Sequence, residues 1–227
     1  MSVEVRDGGL LVDTATWAGW ADGGEVPQEA RELIEQVPGG EQGLDAARAP
    51  LVVVQIQTAT PGGVFTHEAW VGAEAVAVLV DLEGTDRRRV VVLPPDHLGA
   101  ALARVVGIAP RAHAQADREP REVSAEALEA WFDPQASAEE RAAADLGADR
   151  SWRLVAAAVG STQAPLMLAA LDGRTSGVWV VEASEEALRL VPTTPTQVWR
   201  GLTGLLPSLV PQADPGGPGD TPPDAEA

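Results

Sequence analysis

A stretch of this chain recurs about one hundred residues later, in the same order and with no gap in its best blocks. Val52 to Thr58 falls on Trp152 to Ala158, Ala75 to Leu82 on Thr175 to Glu182, and Pro95 to Val106 on Pro195 to Leu206. In the last block Leu98, Leu102, Val105 and Val106 land on Val198, Leu202, Leu205 and Leu206. Solenoid repeats run about 20–50 residues, so this period is too long for one. A supersecondary unit duplicated into two halves of one fold accounts for it. The expectation is a single domain over residues 1–210, with half-repeats at about 23–110 and 121–210.

Each half reads as helix, four-strand meander, helix. In the first, Val26 to Gln36 enters at Pro27 and ends at Val37-Pro38-Gly39-Gly40, and Leu44 to Ala49 adds a further turn. Strands are expected at Leu51–Gln57, Phe65–Val71, Ala73–Leu82 and Arg88–Leu93, with short turns between them, which favours antiparallel neighbours. Pro94-Pro95-Asp96 opens a helix to Val106, and Gly107 and Pro110 end it. Residues 109–121 read as a link. Val123 to Phe132, with Ser124 as N-cap, and Ala138 to Ala144 then form helices. The segment Glu122 to Ala127 echoes Glu25 to Ala30. Strands follow at Trp152–Val159, Pro165–Leu171, Gly177–Ala183 and Ala187–Val191, with an Asp172-Gly173 hairpin signal, and a helix runs from Thr194 to about Leu206. Val3 to Ala21 suggests a short strand ahead of Trp17 and Trp20. The Pro/Gly-rich acidic tail, 211–227, has almost nothing to bury and is expected to be disordered. Helices segregated from runs of strands point to an α+β fold, a wide antiparallel sheet with flanking helices related by a pseudo-twofold axis.

Composition excludes several functions. The formal charge of −18 repels nucleic acid. No run of apolar residues is long enough to span or insert into a membrane, and Met1 to Asp13 lacks the pattern of a secretory signal, so a cytoplasmic location is expected. With no cysteine there is no disulfide, thiolate ligand or cysteine nucleophile. Lys, Asn and Tyr are also missing while Ala, Gly, Val and Arg abound, the mark of a high-GC bacterial gene.

Catalytic patterns are absent too. The three histidines, His67, His97 and His113, share no metal-ligand spacing. Ser161 and Ser176 sit in no nucleophile motif. The glycine pairs have no following Lys-Ser/Thr and read as turns. The acidic pairs, Asp81 with Glu83, Glu139-Glu140 and Glu185-Glu186, read as solvated. Arg87-Arg88-Arg89 reads as charge protecting a strand edge. No catalytic residue, cofactor, metal or small-molecule substrate is therefore expected.

Seven tryptophans remain. Trp152, Trp179 and Trp199 have Val52, Leu79 and Gly99 as first-half counterparts, so the second half carries extra aromatic bulk. Ordinary core filling is one reading. The other is a partner-binding surface made by these three, since Trp is favoured in interface hot spots.

The pattern Trp152-Arg153-Leu154-Val155, Leu171-Asp172-Gly173, Gly177 to Val181, Leu188 to Pro192 and Val198-Trp199-Arg200-Gly201-Leu202 resembles the EspG family of ESX (type VII) secretion, over about residues 45–209. The resemblance implies two related half-domains around a broad antiparallel sheet. It also implies a non-enzymatic cytosolic chaperone that binds the apolar tip of a helical secretion substrate, PE–PPE-like in kind. The chain is shorter than the mycobacterial members, and its hairpins are tighter. The alternatives are a small-ligand-binding or enzymatic α+β domain, or a dimerising structural or regulatory module.

Overall fold

In the computed structural model, described for residues 3–82, 85, 87–108, 118–144, 146–173, 177–184 and 187–209, the β-branched runs are strands and the Ala- and Glu-rich runs are helices. The chain opens with β1 (Glu4–Arg6) and β2 (Gly9–Asp13), then α1 (Thr14–Ala21), α2 (Gln28–Glu35) and α3 (Gly40–Arg48). The first meander is β3 (Val52–Thr60), β4 (Gly63–Val71), β5 (Val76–Asp81) and β6 (Arg87–Leu93), and a 3-10 turn at Pro95–His97 leads into α4 (Leu98–Val105). The second half holds β7 (Arg121–Val123), α5 (Ala125–Phe132) and α6 (Ala138–Ala143). Its meander is β8 (Arg150–Ala158), β9 (Leu166–Gly173), β10 (Gly177–Ala183) and β11 (Leu188–Thr193), and α7 (Pro195–Thr203) and α8 (Leu205–Leu209) follow. The expected tail and most of the expected link lie outside the described residues.

All strands join one antiparallel sheet in the order β1-β2-β6-β5-β4-β3-β8-β9-β10-β11-β7. Its centre is the seam between β3 and β8, the first strand of each meander. Gln55 stands opposite Val155 there, with Val52 opposite Ala158 and Thr58 opposite Trp152. Under the hundred-residue offset, each residue therefore faces the counterpart of its own mirror position, as a twofold axis through the sheet requires.

The pairing shows a twofold correspondence that reaches further back than the sequence echo. β2 lies beside β6, and β7 lies beside β11. β7 and α5 are thus the mates of β2 and α1. Asp13 caps α1 by accepting from the Thr16 N–H at 2.8 Å, and Ser124 caps α5 by accepting from the Ala127 N–H at 3.0 Å. Val12, Trp17 and Trp20 correspond by place to Val123, Leu128 and Trp131. The similarity of Glu122–Ala127 to Glu25–Ala30 is not the correspondence the sheet makes. β2 lies ahead of residue 23, where the first half-repeat is expected to begin, and β7 lies at the end of the expected link.

The halves are not rigid copies. Val78 faces Val91, whereas Val178 faces Thr193, a slip of two residues. An even slip keeps every side chain on its own face. Val78 and Val178 both stay under α4 and α7, and Leu79 and Trp179 both point the other way.

Helices cover both faces. Residues Val52, Val54 and Ile56 of β3 and Trp152, Leu154 and Ala156 of β8 pack with Leu98, Leu102, Val198 and Leu202 of α4 and α7. On the opposite face, α1–α3 cover the first half through Trp17, Trp20, Ile34 and Leu44, while α5 covers the second through Leu128, Trp131 and Phe132. Fully burying a Leu or Ile contributes about 1.5–3 kcal/mol, so Ile56, Leu102 and Leu154, each at most 1% exposed, anchor the central layer. Arg87, Arg88 and Arg89 sit between β2 and β5, not on an edge, which corrects the expected edge role. Arg88 pairs with Asp81 across the ladder, and Arg87 reaches Glu4 and the Leu11 carbonyl.

Candidate functional site

The three tryptophans expected at a partner surface have separate fates. Trp152 is 2% exposed in the central layer under α7 and α8, and Trp179 is 5% exposed beneath α5, with Arg121 5.4 Å from its ring centroid. Both lie on the covered faces of strands, so their bulk fills core and leaves little for a partner. Trp199 is 46% exposed. It stands on α7 where α4 and α7, the mated closing helices, cross.

That crossing is asymmetric at its twofold-related ends. At Gly99 a Cβ would lie 2.7 Å from Thr203 Cγ2 and 2.9 Å from Thr203 Cα, so the glycine permits a close approach that a side chain would block. The mated pair is Trp199 and Ala103. A cleft of about 460 Å³ opens there, lined by Ala100, Ala103, Arg104, Ile108, Pro195 and Trp199.

A second apolar surface lies on the other side of the sheet. Strand alternation puts the even residues of β3 and β8 under α4 and α7, and the odd ones on the opposite face. Near the start of β3 and the end of β8 the odd residues include Leu51, Val53, Val155, Ala157 and Val159. Met167 of β9 joins them, directly beside Val155. Leu51 is 51% exposed, Val159 58% and Met167 73%, while Gln55, at the middle of the stripe, is also exposed. The Leu51 carbonyl accepts from the Val159 N–H at 2.8 Å, so the two strands remain joined to the end of the patch. Three of the four exposed large apolar side chains among the described residues therefore share one stretch of open sheet. An antiparallel sheet face turned to water is normally polar, and apolar residues gathered there mark an interaction surface.

α5 borders this patch. Trp131 Nε1 donates to Ser151 Oγ, and Arg153 lies 4.9 Å from the Phe132 ring centroid and pairs with Glu129 at 2.8 Å. The exposure of Leu51, Val159 and Met167 was not legible in the sequence, because apolar residues on a strand do not show which stretch of a face a helix leaves open. Met167, one of only two methionines, was the available signal.

Of the histidines, His67 is buried and bonded on both ring nitrogens, and His97 ends the 3-10 turn. His113, Ser176 and Glu185-Glu186 lie outside the described residues. Among the described residues no group of three or more His, Asp or Glu could hold a metal, and no helix is long and apolar enough to cross a membrane.

The fold resembles that of a known protein. The type VII secretion system chaperone EspG5 of Mycobacterium tuberculosis, solved in complex with a PE25–PPE41 dimer, aligns over 89% of this chain and 97% of its own, with a TM-score of 0.55 and 16% sequence identity. At that identity the likeness is one of fold. No family model matches the sequence, and no curated protein matches it at a significant level.

Proposed function

We propose that this protein is a non-enzymatic cytoplasmic chaperone or adaptor that binds a helical secretion client, PE–PPE-like in kind, through the open apolar stretch of its sheet. The observation that carries the proposal is the cluster of Leu51, Val159 and Met167 on a face where a solvent-facing sheet should be polar. A helical client hides an apolar tip poorly by itself. A rigid sheet with an uncovered apolar stripe, bordered by the Arg153–Glu129 pair, matches that need. Between half and three quarters of each of the three side chains is exposed, so covering them supplies about 3–6 kcal/mol before the cost of association. The likeness to EspG5 supports the same reading, because that chaperone was solved bound to a PE–PPE dimer.

Trp199, the one expected partner residue with substantial exposed surface, lies on the opposite side of the sheet. It offers a separate contact for a second copy of this chain. Co-expression with PE–PPE-like or WXG100-like proteins encoded beside its gene, followed by size-exclusion chromatography, tests the assignment. A stoichiometric complex supports it. A folded protein that elutes alone with every such partner contradicts it.

A further inference from the structure

The β4–β5 ladder is broken at one step by side chains. Gly72 donates to the Ala75 carbonyl at 2.8 Å, which places the mutually bonded pairs at every second step: Trp70 with Ala77, Glu68 with Leu79, and then Thr66 with Asp81. At this last step the backbone exchange is replaced. The Asp81 N–H donates to His67 Nδ1 at 3.1 Å, and the Thr66 N–H donates to Asp81 Oδ2 at 2.8 Å. His67 Nε2 meets Thr58 Oγ1 of β3 at 3.1 Å, and Asp81 Oδ1 pairs with Arg88 Nε of β6 at 2.6 Å. The imidazole thus stands in for a backbone carbonyl and ties three strands together.

We propose that His67 is a proton-operated latch: protonation at Nδ1 opens the Thr66–Asp81 end of the β4–β5 ladder. Because Nδ1 accepts from a backbone N–H, the neutral ring carries its proton on Nε2 and donates it to Thr58. Adding a proton at Nδ1 sets donor against donor. The ring must then turn away, and the half-buried Asp81 N–H loses its acceptor. Burial holds the ring's pKa below its ordinary value. The charged groups acting on it are Asp81 of β5, which opposes that shift, and Arg88 of β6, which reinforces it. Thr58 of β3 is neutral, and Glu68 points to the opposite face. The latch is independent of the client assignment. It sits beside the β3–β8 seam, since Thr58 is opposite Trp152.

Amide hydrogen exchange on the full chain, corrected for intrinsic rates, tests the latch. Between about pH 7.5 and a pH at which the ring nitrogen shifts show His67 protonated, protection of the Asp81 and Thr66 amides should fall by about tenfold or more, while that of Val78 holds. His67→Asn retains an acceptor near the Nδ1 position and cannot titrate, so the fall should vanish in it. Equal protection at both pH values, or the same fall in His67→Asn, overturns the proposal. If that variant does not fold, the wild-type ring nitrogen shifts decide. A neutral ring protonated on Nε2 is expected, and a ring protonated on Nδ1 overturns the proposal.

Discussion

His67 and Asp13 set pH dependences of the same sign, each losing its contribution to stability in acid, from different starting points. Burial lowers the pKa of His67 in the folded state, so between that value and the unfolded value of 6.5 the unfolded chain binds more protons. The stability it contributes is full above 6.5 and declines as pH falls below that point. Chemical denaturation across this range should show stability dropping with acid in the wild type and a flatter profile in His67→Asn. Asp13 is lowered from 3.8, first by the Thr16 hydroxyl at 2.7 Å and then by the Thr16 N–H. Its contribution is present above 3.8 and lost only in stronger acid. The two mated caps should behave alike. Asp13→Ala and Ser124→Ala each remove an acceptor from a helix start, and each should cost about 1 kcal/mol in urea unfolding.

Among the elements, the closing helices show where the two halves of the sheet agree and where they differ. Gly99→Leu drives a side chain into Thr203 and should destabilise by about 1–3 kcal/mol, whereas Trp199→Ala, at the mated and open end, should stay within about 0.5 kcal/mol. Thermal melts of the two variants check the contrast, and equal losses would refute it. These helices and both meanders were legible in the sequence because apolar spacing and turn residues mark them locally. The mating of β7–α5 with β2–α1 was not. It rests on a strand-cap-helix pattern, Val12-Asp13 to Trp20 against Val123-Ser124 to Trp131, whose offset differs from one hundred because the connections to the meanders differ in length. The three-residue β7 was missed because its pairing to β11 is made across the chain and leaves no local period.

For the whole molecule, the twofold sheet puts one seam, β3 against β8, at the centre and spends its even face on the core. The odd face is where function is proposed, and sequence reading could not find it. Whether Leu51 or Met167 meets a helix or water depends on where α3 and α5 stop, which no local pattern encodes. Bulk is equally silent on which side of a strand is covered, since Trp152 and Trp179 are both buried while Trp199 is exposed. The most direct test is the affinity of the full chain for a co-purifying PE–PPE-like dimer, measured by calorimetry for wild type, Met167→Glu with Val159→Glu, and Trp199→Ala. A charge on the sheet patch should weaken binding by about a hundredfold or more, as expected when interface anchors are lost, while Trp199→Ala should change it by less than about threefold. Binding untouched by the sheet substitutions and abolished by Trp199→Ala would contradict the account.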